Sequence, residues 1–362
     1  MTSTTTPHTP DLPPTTSTPP RDPAKTIDAH GTPGRVPWIA VGMYLAIAFA
    51  GAWLSCLPLW TSGKELPELM ATPTFALSGT LMMWSPALAA FIAVFAVQRP
   101  DKPWRELGFL IRPFWRTIGF CIIAWSVPVL LNLAGALGVG AMGGFDFGSG
   151  ALMNIYAKAG VTGMDETTLA WMTVLHTLLI SVPLGVSTAL GEEIGWRGFL
   201  VQALAPLGKW TCALVTGVIW GVWHAPLLLL GYNFQDRGIG GILLMVLFCI
   251  PVGAFFMWLR MRSETVWPAA IAHGSMNASV TLGPILWAND PSVLKTFNLA
   301  SMWPMWLCYA VMAIIVLVVW GSRPSPRPWR CDVEEEPEGD LELVVTPARA
   351  PQECIEEPTE RC

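Results

Sequence analysis

Ionisable residues inside otherwise apolar stretches of this sequence mark where chemistry could lie: His176, Glu192, Glu193, Arg197, His224 and His273, joined by the amide of Asn277. In TALGEEIGWRGFL at 188–200, a helix puts Glu193 and Arg197 at i and i+4 on one face, where an ion pair offsets the burial of each. Glu192 lies about 100° further round and does not share that geometry. It is left less neutralised and suited to act as a general base. In WGVWH at 220–224, Trp220 stands one turn before His224. In HGSMN at 273–277, His273 and Asn277 again share a face. The chemistry this set can do is hydrolysis. A carboxylate beside an imidazole deprotonates water, and a second imidazole with an amide donates to the oxyanion of a tetrahedral intermediate. One Glu and two His are also the ligands of many catalytic zinc sites, so Glu192, His224 and His273 could instead hold a metal. The same residues serve both chemistries.

Each piece has a plainer reading. A single His in a membrane helix, such as His176, is more often a hydrogen-bond partner for a neighbouring helix. Glu193 with Arg197 alone would be a structural brace. Trp220 is one of nineteen tryptophans, most of which serve interfaces and packing. Their combination on separate apolar segments is what points to a site.

The elements that carry these residues are membrane helices. The 362 residues are 52% hydrophobic and only 13% charged, with a mean hydropathy of +0.48, which excludes an ordinary soluble domain. Apolar runs bounded by charge, Pro or Gly predict eight spans near 37–60, 75–97, 115–140, 168–190, 211–231, 239–260, 265–287 and 301–320. The stretch 191–204 extends the fourth as a polar-faced helix, very long or broken. The expected fold is an all-α integral membrane protein, a bundle of about eight transmembrane helices around an interior polar cavity. The expected domains are a disordered Pro/Thr-rich tail at 1–36, a membrane domain at 37–320 with its motif-bearing core at 168–290, and an acidic disordered tail at 321–362.

With the N-terminus inside, fourteen Lys and Arg near span ends fall on the inner side. Four fall outside: Lys64, Lys158, Arg237 and Lys295. Both termini are therefore expected in the cytoplasm. Much of the net charge of −5 sits in the acidic tail, a solvated segment. Cys56, Cys121, Cys212, Cys249 and Cys308 lie in apolar spans and read as small buried hydrophobes. The first 35 residues lack the apolar core of a signal peptide, and the C-terminus lacks a CAAX box. No internal repeat suggests a transporter built from two halves. The loop at 143–167, with its GGFDFGSG, carries no assigned role.

Glu192-Glu193-x-x-x-Arg197, Trp220-x-x-x-His224 and His273-x-x-x-Asn277 together resemble the three motifs of the CPBP family, the Abi or type II CAAX prenyl endopeptidases that include the Ras-converting enzyme. The second motif usually begins with Phe, so Trp220 is a departure that keeps an aromatic ring. The resemblance covers roughly 168–290. It implies a helical membrane fold in which Glu192 activates water with help from His224, His273 and Asn277 stabilise the oxyanion, and Glu193 with Arg197 braces the site. Members are commonly labelled metalloproteases, and a metal-free glutamate mechanism has also been proposed; zinc is the cofactor such a site would take.

The expected function is thus an intramembrane endopeptidase acting on a bacteriocin-like or other small peptide, or on a CAAX-type protein. Its expected partners are peptide or protein substrate and membrane lipid, with no nucleic acid; nothing sets the oligomeric state. The alternatives are a non-catalytic scaffold or immunity protein using the polar cluster structurally, and a transporter with Glu192 as proton carrier.

Overall fold

The computed structural model describes residues 35–110, 114–294 and 298–322. The tail readings at 1–34 and 323–362 lie outside them. Long helices run in the order α1 (Trp38–Thr61), α2 (Pro73–Gln98), α3 (Phe114–Ala141), α4 (Glu166–Leu207), α5 (Lys209–Trp223), α6 (Ile239–Ser263), α7 (Trp267–Ser279) and α8 (Trp303–Ser322). Among the described residues the nearest thing to a strand is one isolated antiparallel bridge, Phe147 with Ala288.

The all-α membrane expectation holds. Six helices are long and apolar enough to span: α1 to α4, α6, and the segment Leu299–Val319 that includes most of α8. The predicted spans 211–231 and 265–287 fold instead as the shorter α5 and α7, of 15 and 13 residues. At 1.5 Å per residue these reach only about 22 and 20 Å, short of the roughly 30 Å hydrocarbon layer. α5 ends at the turn through His224, and α7 stops at Ser279 before a separate short helix, Leu282–Trp287. The stretch 191–204 is continuous with α4, which runs 42 residues and contains two π-helical segments, Thr177–Ser181 and Ile194–Leu200.

Small residues set how the motif helices meet. α7 packs against α4, α3 and α6, α5 packs against α6, and α4 packs against α2. On α5, Gly217 and Gly221 form a GxxxG face against α6. A methyl at Gly221 would lie 2.5 Å from Cα of Val246, and one at Gly217 2.7 Å from Cα of Ile250. On α4, a methyl at Gly191 would lie 2.7 Å from the Met83 carbonyl of α2. Gly185 of α4 and Gly274 of α7 meet backbone to backbone, with a methyl at Gly274 landing 2.5 Å from the Val186 nitrogen. Leucines and isoleucines such as Leu54, Leu130, Leu184 and Leu247 face outward, as lipid-facing residues do.

At one end, the chain between α2 and α3 docks on the α6–α7 connection. The Gly108 carbonyl accepts from the Val266 N–H at 2.8 Å and from the Thr265 hydroxyl at 2.8 Å. At the other, the GGFDFGSG loop is tied to the chain after α7: the Asn289 N–H donates to the Asp146 carbonyl, and the Gly148 N–H to the Trp287 carbonyl.

Candidate active site

The two adjacent carboxylates of α4 have separate partners. Glu193, fully buried, accepts from Arg197 at 2.9 Å and from His273 Nδ1 at 2.8 Å, both on Oε1. The i and i+4 pairing expected from sequence is present, and His273 joins it from α7. Glu192, 2% exposed, accepts on Oε2 from two indole N–H groups: Trp220 of α5 at 2.6 Å and Trp196 of its own helix at 3.3 Å. One carboxylate is in an ion pair; the other is held by neutral donors.

Trp220 is the centre of the arrangement. Its N–H reaches Glu192, and its backbone carbonyl accepts from His224 Nδ1 at 2.8 Å. The Arg197 guanidinium stacks over its ring, 4.5 Å from the centroid, and also over Phe256 at 5.2 Å. The His273 ring meets it edge to face at 5.3 Å and stacks on Phe256 at 5.5 Å. One side chain therefore touches the polar residues of all three motifs.

The hydrogen bonds fix the tautomers. A carbonyl or a carboxylate can only accept, so His224 and His273 each carry a proton on Nδ1, which leaves Nε2 for chemistry. His224 is half-buried at the open end of α5. That end is anchored by the Trp223 indole, which donates to the Ala48 carbonyl of α1 at 3.2 Å.

Of the predicted site residues, Glu192, Glu193, Arg197, Trp220, His224 and His273 are linked through Trp220. No direct hydrogen bond joins Glu192 to His224 among the described residues. Asn277 lies one turn beyond His273 on α7 and is exposed, with no hydrogen bond to the others among the described residues. His176 is away from the site. It is exposed and bonds Ser181 of its own helix at 3.3 Å, across a π-helical segment, rather than a neighbouring helix.

Sequence reasoning missed Trp196, Phe256 and Tyr44. Trp196 carried a signal: it stands at i+4 from Glu192, just as Arg197 does from Glu193. Tyr44 of α1 packs edge-on against Trp196 with centroids 5.8 Å apart. As placed, Glu192, His224 and His273 do not form a ligand set. Among the described residues no three His, Cys, Asp or Glu side chains come close enough to share a metal ion.

An all-α chain with six membrane-length helices enclosing a buried polar cluster is a multi-pass integral membrane protein. Residues 173–279 match the family model for Rce1-like proteins, described as type II CAAX prenyl endopeptidase Rce1-like, and this range holds all seven predicted site residues. Over that range the chain is similar to this endopeptidase family, in keeping with the resemblance of its three motifs. No curated protein matches the chain.

Proposed function

We propose that the protein is an intramembrane endopeptidase in which Glu192 is the general base. The observation that carries this reading is the separation of partners between two buried, adjacent carboxylates. Glu193 is neutralised by Arg197, whereas among the described residues no cation is bonded to Glu192, which is held by two indoles. A carboxylate kept in apolar surroundings without an ion pair costs stability, and such groups concentrate where chemistry needs them.

Glu192 takes a proton from water as the water oxygen attacks the peptide carbonyl carbon. His224, through Nε2, helps to hold that water. The resulting oxyanion accepts from Asn277 and from His273 Nε2 in its protonated form. The proton on Glu192 then passes to the leaving nitrogen, the C–N bond breaks, and a carboxylic acid and an amine are released, which exchange a proton to give carboxylate and ammonium. Glu193, Arg197 and Trp220 support these groups. No step runs through a metal; a zinc ion on Glu192, His224 and His273 is the competing mechanism, and it requires side-chain placements other than those described.

The substrate is a peptide or protein segment that reaches the site from the membrane: a small bacteriocin-like peptide, or the C-terminal segment of a CAAX-type protein. The Lys and Arg distribution supports cytoplasmic termini. The test is cleavage of such peptides by purified protein in lipid, comparing wild type with Glu192→Ala and His224→Ala, with and without chelator. Loss of cleavage in both variants and persistence in chelator is expected. Unchanged cleavage in both variants would overturn the roles of Glu192 and His224, absence of cleavage by wild type would favour a scaffold role, and loss in chelator restored by zinc would favour the metal mechanism.

A further inference from the structure

α7 stops at Ser279, a buried position, which leaves its last carbonyls without intrahelical partners. Backbone carbonyls buried away from water need another partner. Asn132 supplies one from α3. Its side-chain amide donates to the Met276 carbonyl at 2.9 Å and to the Ser279 hydroxyl at 2.9 Å. The Ser279 hydroxyl in turn donates to the Ser275 carbonyl at 2.6 Å. The Asn132 carbonyl oxygen accepts from the Tyr309 hydroxyl of α8 at 3.4 Å. Asn132 is 1% exposed, and Ser279 and Tyr309 are fully buried. An amide inside an apolar helix is thus satisfied on both its nitrogen and its oxygen, at the broken end of a neighbouring helix.

We infer that Asn132 is a positioning residue for the catalytic site: an interhelical C-cap that fixes the last turn of α7. Resting on the peptidase reading, this assigns it the placement of Asn277, whose neighbour Met276 it holds by the backbone. Asn277 itself is exposed and has no hydrogen bond of its own among the described residues to orient it. His273, one turn earlier, is already fixed by Glu193, so Asn132 governs the free half of the oxyanion pair. Pro128, one turn before Asn132, sits inside α3 and has no N–H to donate. Tyr309 makes the longest of the contacts and acts as a secondary brace.

The experiment compares wild type, Asn132→Leu, Asn132→Gln, Tyr309→Phe and Glu192→Gln as full-length proteins in lipid nanodiscs, by peptide-cleavage kinetics and by hydrogen exchange. Asn132→Leu should lower kcat about ten- to a hundredfold with KM nearly unchanged, as a misplaced transition-state donor would. It should also raise exchange at 276–282 and leave 188–200 protected as in wild type. Asn132→Gln, which keeps the donors on a longer stem, should recover part of both effects, and Tyr309→Phe should change them little. Unchanged exchange at 276–282 in Asn132→Leu would overturn the cap, and raised exchange with full kcat would overturn its role in catalysis. A global rise in exchange across α3, α7 and α8 would also count against it, by showing a general folding role. Absence of cleavage by wild type would instead sink the peptidase reading, and full cleavage by Glu192→Gln the assignment of the base, while the exchange measurement would still decide whether Asn132 caps α7.

Discussion

The indole N–H of Trp220 donates to Oε2 of Glu192 at 2.6 Å, while the same residue's backbone carbonyl takes the Nδ1 proton of His224 at 2.8 Å. The candidate base and the half-buried imidazole are therefore set relative to each other by one tryptophan. Replacing it with Phe keeps an aromatic ring and removes only the donor. Trp220→Phe should fold and should cleave peptide with kcat/KM reduced roughly tenfold, the scale of one hydrogen bond to a charged group. Cleavage kinetics at saturating and limiting substrate check this, and unaltered kcat/KM would mean that Trp196 alone suffices.

The ion pair should behave as a structural unit. Arg197→Met leaves Glu193 buried and bonded only to His273, at a cost of about 3–5 kcal/mol. Arg197→Met combined with Glu193→Gln removes both charges and should recover much of that loss. Thermal unfolding of the two variants in the same lipid or detergent shows whether recovery occurs.

The α5–α6 contact leaves no room for a side chain at Gly221. Gly221→Val should be destabilised by about 1–3 kcal/mol or more through overpacking, and should lose cleavage as Trp220 and His224 shift. Gly119→Ala on α3 is the control, because a methyl there meets nothing within 4 Å. Yield of folded protein and melting temperature separate the two.

Asp165 caps α4, accepting from the Thr168 hydroxyl at 2.6 Å and the Thr168 N–H at 3.0 Å. Those bonds, the hydroxyl first, hold its carboxyl below the ordinary carboxylate range. A lowered folded-state pKa means the stabilisation is present above the unfolded value and is lost as pH falls through the folded one. Asp165→Ala should therefore raise hydrogen exchange at 166–170 at neutral pH. The difference from wild type should vanish in strong acid.

The sequence made some of this site legible and hid the rest for physical reasons. Glu193 with Arg197 could be read because i and i+4 on one helix is local geometry. The grip of Trp220 on Glu192 could not, because it depends on how α4 and α5 are rotated against each other. That rotation is set by close approaches at Gly191, Gly217 and Gly221, whose contacts lie far along the chain. The face shared by His273 and Asn277 was readable, but not that His273 turns its Nδ1 to Glu193 while Asn277 stays exposed. Apolar length located the six membrane-length helices, but not where the chain breaks after α5 and α7 within the spans expected at 211–231 and 265–287.

The central claim is that Glu192 is the base, and the most direct measurement is the cleavage rate of Glu192→Gln in lipid nanodiscs at matched folded protein. Gln keeps the size of the side chain and an oxygen for both indoles, but it cannot take the proton from water. The account predicts that kcat falls by about 10²–10⁴-fold with an unchanged melting temperature. A Glu192→Gln protein that cleaves at the wild-type rate would contradict it.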